Sequence, residues 1–384
     1  MGNGWGLVLS AVVFAATGCA ATHGQSRLPD VKSQSAALTH RWDPTKTRVF
    51  AVGLAEFKGD PPGEPSFSQY DRTDSAFVDL MRERGVPASK VVFLKDKQAT
   101  ALRVTKAFED LLDASERDEL LIFYFGSHGS YDAEDGTFEF STYESVLPFR
   151  WVFDAIESKF RGSQAMLFAD TCYSGGLVEM AKKQSGRVGY GALSSTASHN
   201  VAWSEWRFGE ALVRGFSGNP TVDVNGSGNI DFDELAGFTA RHMAFVAEGK
   251  PMVATTKGFD KKLVLSDLRA KKKGPEIGKY YEVEQDGEWY PAEVIDVDGK
   301  MRKVHYTRVD SLYEEEWVSK DRLRAHARAK FAIGQEVECK DVDDDKWYSG
   351  RVIAKFESMH LCRFDGWSSA YDSWTGPSHI RASE

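Results

Sequence analysis

Leu120-Leu121-Ile122-Phe123-Tyr124-Phe125-Gly126-Ser127-His128-Gly129 and Ala165-Met166-Leu167-Phe168-Ala169-Asp170-Thr171-Cys172-Tyr173-Ser174-Gly175-Gly176 share one form: an apolar run, then a glycine-bearing turn holding a reactive side chain. A short apolar run bounded by turn residues reads as a strand buried on both faces. Two more such runs, Arg48 to Leu54 and Val91 to Leu94, precede them, and Asp74 to Glu83 and Leu102 to Leu112 carry apolar residues at helical spacing. Strands alternating with helices predict an α/β domain built on a mostly parallel sheet flanked by helices. Ligands of such sheets sit at the carboxyl ends of the strands. His128 and Cys172 are therefore expected at one edge of one sheet.

That pairing is what thiol catalysis uses. A thiolate attacks, and a neighbouring imidazole takes the thiol proton and later hands one to the leaving amine. Either residue alone reads more simply, as a structural cysteine or a loop histidine; at matching strand ends they read as nucleophile and base. The strand-then-His-Gly element at Leu120 to Gly129 and the Asp-x-Cys-x-Ser-Gly element at Asp170 to Gly175 resemble the signatures of the caspase and metacaspase superfamily. Their spacing of 44 residues is close to the roughly 50 of caspases. The resemblance covers about Lys46 to Leu268, with Val49 to Gly53 as first strand and Tyr70 to Met81 as the helix start that carries Asn-Asp-Ala in that family.

The resemblance implies a caspase-haemoglobinase fold, a His128–Cys172 dyad, an oxyanion hole from the N–H groups of Gly129 and Cys172, and a thioester hydrolysed by water. The chain departs from the family twice. Gly126-Ser127 stands where Ser-Gly is usual, and Tyr173 follows the nucleophile where metacaspases often have His. By the same resemblance Asp74 and Asp170 line the pocket for the residue before the scissile bond. Two carboxylates there favour a bound Arg or Lys, so a cysteine endopeptidase cleaving after basic residues is expected, with no cofactor required for the chemistry. Asp170 and Asp74 also have capping readings, at a turn and a helix N-terminus. Lys182, Lys183 and Arg187 form either a self-cleavage loop or a solvated basic one. The alternative is a catalytically silent binding protein of the same fold.

Asp223, Asn225, Ser227, Asn229, Asp231 and Glu234 place oxygen donors at loop positions one, three, five, seven, nine and twelve, with Gly228 at six and Ile230 at eight. This is the EF-hand calcium pattern, flanked by expected helices at Glu210 to Phe216 and Leu235 to Val246 and lacking a second EF-hand to pair with. It reads as a calcium loop or as an Asx-rich turn capping the helix after it.

The last 110 or so residues are aromatic-rich and strand-like, with an internal repeat. Ile277-Gly278 recurs as Ile333-Gly334, Trp289-Tyr290 as Trp347-Tyr348, Trp317 as Trp374 and Arg324 as Arg381, at shifts of 56 to 58 residues. That period suits a small five-strand barrel. The repeats, 276–325 and 331–384, resemble Tudor-like and agenet modules, two small all-β barrels in which aromatic cages bind methylated Lys or Arg. Cage positions would be Trp289, Tyr306, Tyr313 and Trp317, then Trp347, Phe364, Tyr371 and Trp374; packing of the barrel cores is the other reading. A protein or peptide partner is expected there. Cys339 and Cys362 would pair in an oxidising compartment or serve as core residues otherwise.

Ahead of the peptidase region (46–269), Leu7 to Ala16 is an apolar run of signal-peptide length. Ala16-Thr17-Gly18-Cys19 resembles a bacterial lipobox, although Met1 to Gly6 lacks Lys and Arg. Residues 1–19 read as a lipoprotein signal and 20–45 as a tether. A cell-envelope, lipid-anchored or secreted protein is expected, touching a membrane only through that anchor, and a cytoplasmic one if Met1 is a miscalled start. The 384 residues, 42% hydrophobic and 27% charged, describe a globular chain, and a net charge of −9 argues against nucleic-acid binding.

Overall fold

The computed structural model describes residues 41–58, 66–70, 72–202, 206–247, 250–268, 274–307, 315–341 and 345–383. The expected signal segment, 1–19, and residues 20–40 of the expected tether lie outside them. The α/β part runs β1 (Thr47–Gly53), α1 (Thr73–Glu83), β2 (Val91–Lys95), α2 (Ala101–Asp113), β3 (Leu120–Gly126), β4 (Gly129–Asp132), β5 (Thr137–Ser141), β6 (Val146–Pro148), α3 (Arg150–Lys159), β7 (Gln164–Asp170), α4 (Gly175–Lys182), β8 (Gly189–Ser194), α5 (Arg207–Ser217), β9 (Asn229–Asp231), α6 (Phe232–Ala247), β10 (Val253–Thr255) and β11 (Val264–Asp267). Its main sheet has the order β10-β8-β7-β3-β1-β2 and is parallel except for β10, which lies antiparallel to β8 at the edge. β4, β5 and β6 form a separate antiparallel sheet directly after His128.

Alternation along each strand feeds two cores. Phe50, Phe123 and Phe125 pack with Phe108 of α2 and Phe153 of α3 on one face. Val49, Ala51, Tyr124 and Phe168 pack with Phe77 of α1, Phe216 of α5 and Leu235 of α6 on the other. This two-sided burial explains why β3 and β7 read as unbroken apolar runs. Local chemistry sets the helix ends: Thr100 accepts the Arg103 N–H at 3.3 Å to open α2. α5 lies between Trp206 (φ 64°) and Gly218 (φ 78°), both left-handed.

One boundary moves. Residues 41–45 were expected in the tether, but Trp42 is 5% exposed and packs edge-on against Phe216 at 5.3 Å. Its backbone N–H also donates to the Val264 carbonyl at 2.8 Å. An aromatic side chain with a core slot open to it draws the backbone in with it.

The rest forms two five-stranded antiparallel sheets. The first holds β12 (Tyr280–Gln285), β13 (Glu288–Asp298), β14 (Met301–Tyr306), β15 (Glu315–Ser319) and β16 (Leu323–Ala325); the second holds β17 (Glu336–Lys340), β18 (Trp347–Phe356), β19 (Met359–Phe364), β20 (Ser373–Thr375) and β21 (Ile380–Ala382). Their orders, β15-β14-β13-β12-β16 and β20-β19-β18-β17-β21, are the same, and a register irregularity falls at Val294/Asp296 in one and Val352/Ala354 in the other. Val283 and Val304 fill the first core, and the Cys339–Cys362 disulfide takes their place in the second. β17 and β19 are separated by β18, so in a flat sheet their Cα atoms would lie about 10 Å apart. The Cα atoms of Cys339 and Cys362 are 6.6 Å apart, so the sheet is strongly curled.

Both repeats join the α/β part through buried groups. Glu210 of α5 is bracketed by His242 of α6 at 3.3 Å and His305 of β14 at 2.9 Å, and Arg214 reaches Glu293 of β13 at 2.6 Å. Phe245 of α6 shares a cluster with Tyr280 of the first repeat and with Met359, Phe356 and Trp374 of the second.

Candidate active site

Gly53, Gly126 and Asp170 end β1, β3 and β7 in one register row. His128 and Cys172 each follow that row by two residues, and both line the same cleft with Asp170, Leu54, Phe67 and Trp206. A side chain at Gly129 would collide with the Cys172 carbonyl, so the two turns touch and only glycine fits there. The His128 ring lies 4.2 Å from the Phe67 ring and 4.9 Å from that of Phe57, between centroids. Its carbonyl accepts the Ser141 N–H at 3.0 Å. Gly129 pairs with Phe140, and the bond flanking that pair makes it the non-hydrogen-bonded kind, which aims the Gly129 N–H away from β5.

Cys172 Sγ accepts the Ala202 N–H at 3.3 Å, and the Tyr173 N–H donates to the Asn200 carbonyl at 2.9 Å. The 195–202 segment thus cradles the thiol turn. Tyr173 (φ 58°) and Trp206 (φ 64°) hold left-handed backbones that non-glycine residues rarely adopt. Strain of this kind concentrates at functional sites.

The two expected pocket carboxylates separate. Asp170 lines the cleft. Burial pushes its carboxyl up to about 7, Asp74 nearby adds to the rise, and a hydrogen bond with Ser195 offsets part of it. Asp74 is fully buried over Gly53 and lies outside the lining. Arg72 takes it instead, with Nε 3.1 Å from Oδ1 and Nη2 2.5 Å from Oδ2, and its Nη1 reaches Asp96 at 2.7 Å. The N-cap reading fails as well, because Arg72 holds that position and makes no side-chain cap bond. Tyr124 is a further resident of this floor. Its buried hydroxyl has no hydrogen-bond partner and lies 2.7 Å from where a Cβ of Gly126 would stand. Neither Arg72 nor Tyr124 shows in the sequence, since an Arg two residues before an Asp and a Tyr inside an apolar strand carry no pattern.

The Asp223–Glu234 loop closes on itself. Asp223 accepts the N–H groups of Ser227 (3.1 Å) and Gly228 (3.0 Å), Glu234 those of Val224 (3.1 Å) and Asn225 (3.3 Å), and the Ser227 hydroxyl donates to the Asn229 carbonyl. Where a paired EF-hand would offer its twin, β9 pairs with β11. The donors are hard oxygens suited to calcium, while Lys262 lies 3.1 Å from Asp231 and supplies positive charge from the chain itself. Among the described residues no cluster of His, Cys, Asp or Glu has the geometry of a metal site.

The aromatic candidates scatter. Trp289 and Trp347 each carry an arginine of their own sheet, Arg324 at 4.1 Å and Arg381 at 4.3 Å, so the recurring Trp and Arg are partners and those ring faces are covered. Glu282 and Glu338 hold the two arginines from the neighbouring strand. Tyr306 and Phe364 are core residues, and Trp374 packs at the junction with α6. Trp317 is 42% exposed on edge strand β15. Tyr313 lies outside the described residues. Phe364 and Tyr371 meet around Trp367, which also contacts Tyr348; both added rings were missed, Trp367 because it stands outside the recurring positions and Tyr348 because it recurs only as the neighbour of Trp347.

No family model matches the chain, and no curated protein is similar to it in sequence. Among solved structures it is similar to protein GSU0716 from Geobacter sulfurreducens, at 17% identity and a TM-score of 0.45 over 58% of this chain and all of that one.

Proposed function

We propose that the chain is a caspase-like, metacaspase-type cysteine endopeptidase that cleaves after Arg or Lys. The observation that carries this reading is the register: His128 and Cys172 sit at equal offsets beyond the paired residues Gly126 and Asp170 on adjacent parallel strands, and both line one cleft. In the proposed reaction His128 takes the thiol proton as Cys172 Sγ attacks the scissile carbonyl carbon. The Gly129 and Cys172 N–H groups stabilise the oxyanion, and the C–N bond breaks as His128 protonates the leaving amine. Water, deprotonated by His128, then cleaves the thioester. Asp170, the carboxyl that lines the cleft, supplies the preference for a cation.

The Cys339–Cys362 disulfide supports an exported protein, since such bonds persist in oxidising compartments. No helix among the described residues is long and apolar enough to cross a membrane. We assign calcium to the Asp223–Glu234 loop on its donor chemistry alone; calorimetric heat that Glu234→Ala abolishes is expected, and no heat with wild type would remove the assignment. The peptidase is tested with fluorogenic peptides bearing Arg, Lys, Asp or norleucine before the bond. Cleavage of the basic peptides, absent in Cys172→Ala, is expected. Silence across the panel would make the chain a binding protein of this fold.

A further inference from the structure

A chain of rings leads away from Cys172. Tyr173, beside the thiol, lies 6.3 Å from Tyr131 of β4, and Tyr131 lies 6.4 Å from His199. His199 stacks on Tyr371 of the second repeat at 4.8 Å with ring planes 13° apart. Tyr371 meets Trp367 edge-on at 5.3 Å, and Trp367 meets Tyr348 at 5.0 Å. Tyr131, Tyr371 and Trp367 are each 37–38% exposed. Tyr348 packs against the core of the second repeat and Trp367 rests on Phe364 at 5.3 Å, but the outer rings are left partly open. The core of the second repeat is Phe331, Val337, Val352, Phe364, Ile380 and the disulfide, and Trp367 and Tyr371 lie outside it.

We propose that this ledge seats the flanking segment of the substrate polypeptide, an extended stretch carrying aromatic or proline side chains; the inference rests on the peptidase reading and names a preference beyond the basic residue. Three observations favour that occupant. The ledge starts at Tyr173, the residue after the cleft-lining Cys172, so a peptide lying across Cys172 runs onto it. The carboxylate next to Tyr371 is already matched, since Asp372 is held by Arg363 at 2.7 Å and faces Lys250 at 3.6 Å, which favours ring faces as the recognition chemistry. Ring faces stack on aromatic and proline side chains of an extended chain. The track is also anchored, since Lys250 donates to the Ser369 carbonyl, tying the turn before Tyr371 to the α/β part. At about 3.3 Å per extended residue, a track on the order of 20 Å long holds about six residues.

The test compares kcat/KM on a tetrapeptide ending in Arg with that on four longer peptides, extended by about six residues on one side of the bond or the other, the extension carrying Trp and Pro or only Gly and Ser. One aromatic extension should raise kcat/KM about tenfold over its Gly/Ser counterpart. Trp367→Ala and Tyr371→Ala should bring that ratio near one, while Tyr371→Phe, which keeps the ring, should preserve it. A ratio near one in wild type, or one unchanged by both alanine variants, overturns the ledge and leaves the peptidase standing. Cleavage of no peptide removes both. A concentration-dependent dimer that Trp367→Ala dissolves would reassign the ledge to a second copy of the chain.

Discussion

Asp170 gives the cleft a charge that depends on pH. Its folded carboxyl is raised to about 7, while the unfolded one titrates near 3.9. The folded state therefore keeps a proton that the unfolded state loses. The associated stability is fully present below pH ~4 and is lost as pH rises through about 7, a loss of about 4 kcal/mol at most. Asp170→Asn should remove this loss, so its melting temperature should gain on wild type between pH 5 and pH 8; parallel curves would contradict the assigned shift. A basic substrate side chain favours the ionised form, so near pH 7, where the carboxyl is about half protonated, its binding should release about half a proton, which calorimetry in buffers of different ionisation enthalpy would detect. Asp74 behaves otherwise. Removing its charge in Asp74→Asn leaves Arg72, 3% exposed at its side chain, partly uncompensated, at a cost of roughly 3–5 kcal/mol. Denaturant titration should show that loss, with the Arg-over-norleucine preference kept in whatever folds; the preference should vanish only in Asp170→Asn. Both aspartates could be picked out of the sequence, but their division of labour could not. It depends on Arg72, which folds back from the start of α1 onto Asp74, Asp96 and the Gly53 carbonyl.

The strands were legible where burial is two-sided, because β1, β3 and β7 have no polar face to interrupt the apolar run. β10 was not. It has three residues and pairs only with β8, so nothing in its composition sets it apart from a loop. In the repeats, recurring Trp and Arg announced the period, while their mutual stacking needed coordinates, since a tryptophan that holds an arginine looks in sequence like one awaiting a ligand. The two sheets differ usefully at one matched pair of core positions. The disulfide closes a 23-residue separation, worth about 3 kcal/mol by chain-entropy arguments, and Val283 and Val304 manage without one. Reductant should accordingly raise amide hydrogen exchange in β17 to β19 and leave β12 to β14 unchanged. A Cys339→Val/Cys362→Val double variant, copying the first repeat, should fold yet lose that sensitivity; equal exchange in both sheets would refute the difference.

At the scale of the molecule, the repeats are built into the α/β part. Burial alone would push the Glu210 carboxyl up, but His242 and His305 hold it well below its ordinary value. Its contribution is therefore present above pH ~4.5 and lost only as acid carries the protein below that value. Deleting residues 274–384 takes His305 from Glu210, Glu293 from Arg214, and Tyr280 and Met359 from Phe245. The truncated chain should melt lower and bind a hydrophobic dye, whereas an unchanged melting temperature would show the junction to be dispensable. Repeats at the end of a chain invite the picture of detachable beads, and composition offered nothing against it. The buried seam does. Anyone dissecting this protein with scissors placed just before Gly274 would be cutting through masonry and not through a hinge, so a failed assay on the shortened piece would report the damage and say nothing about whether the thiol can act.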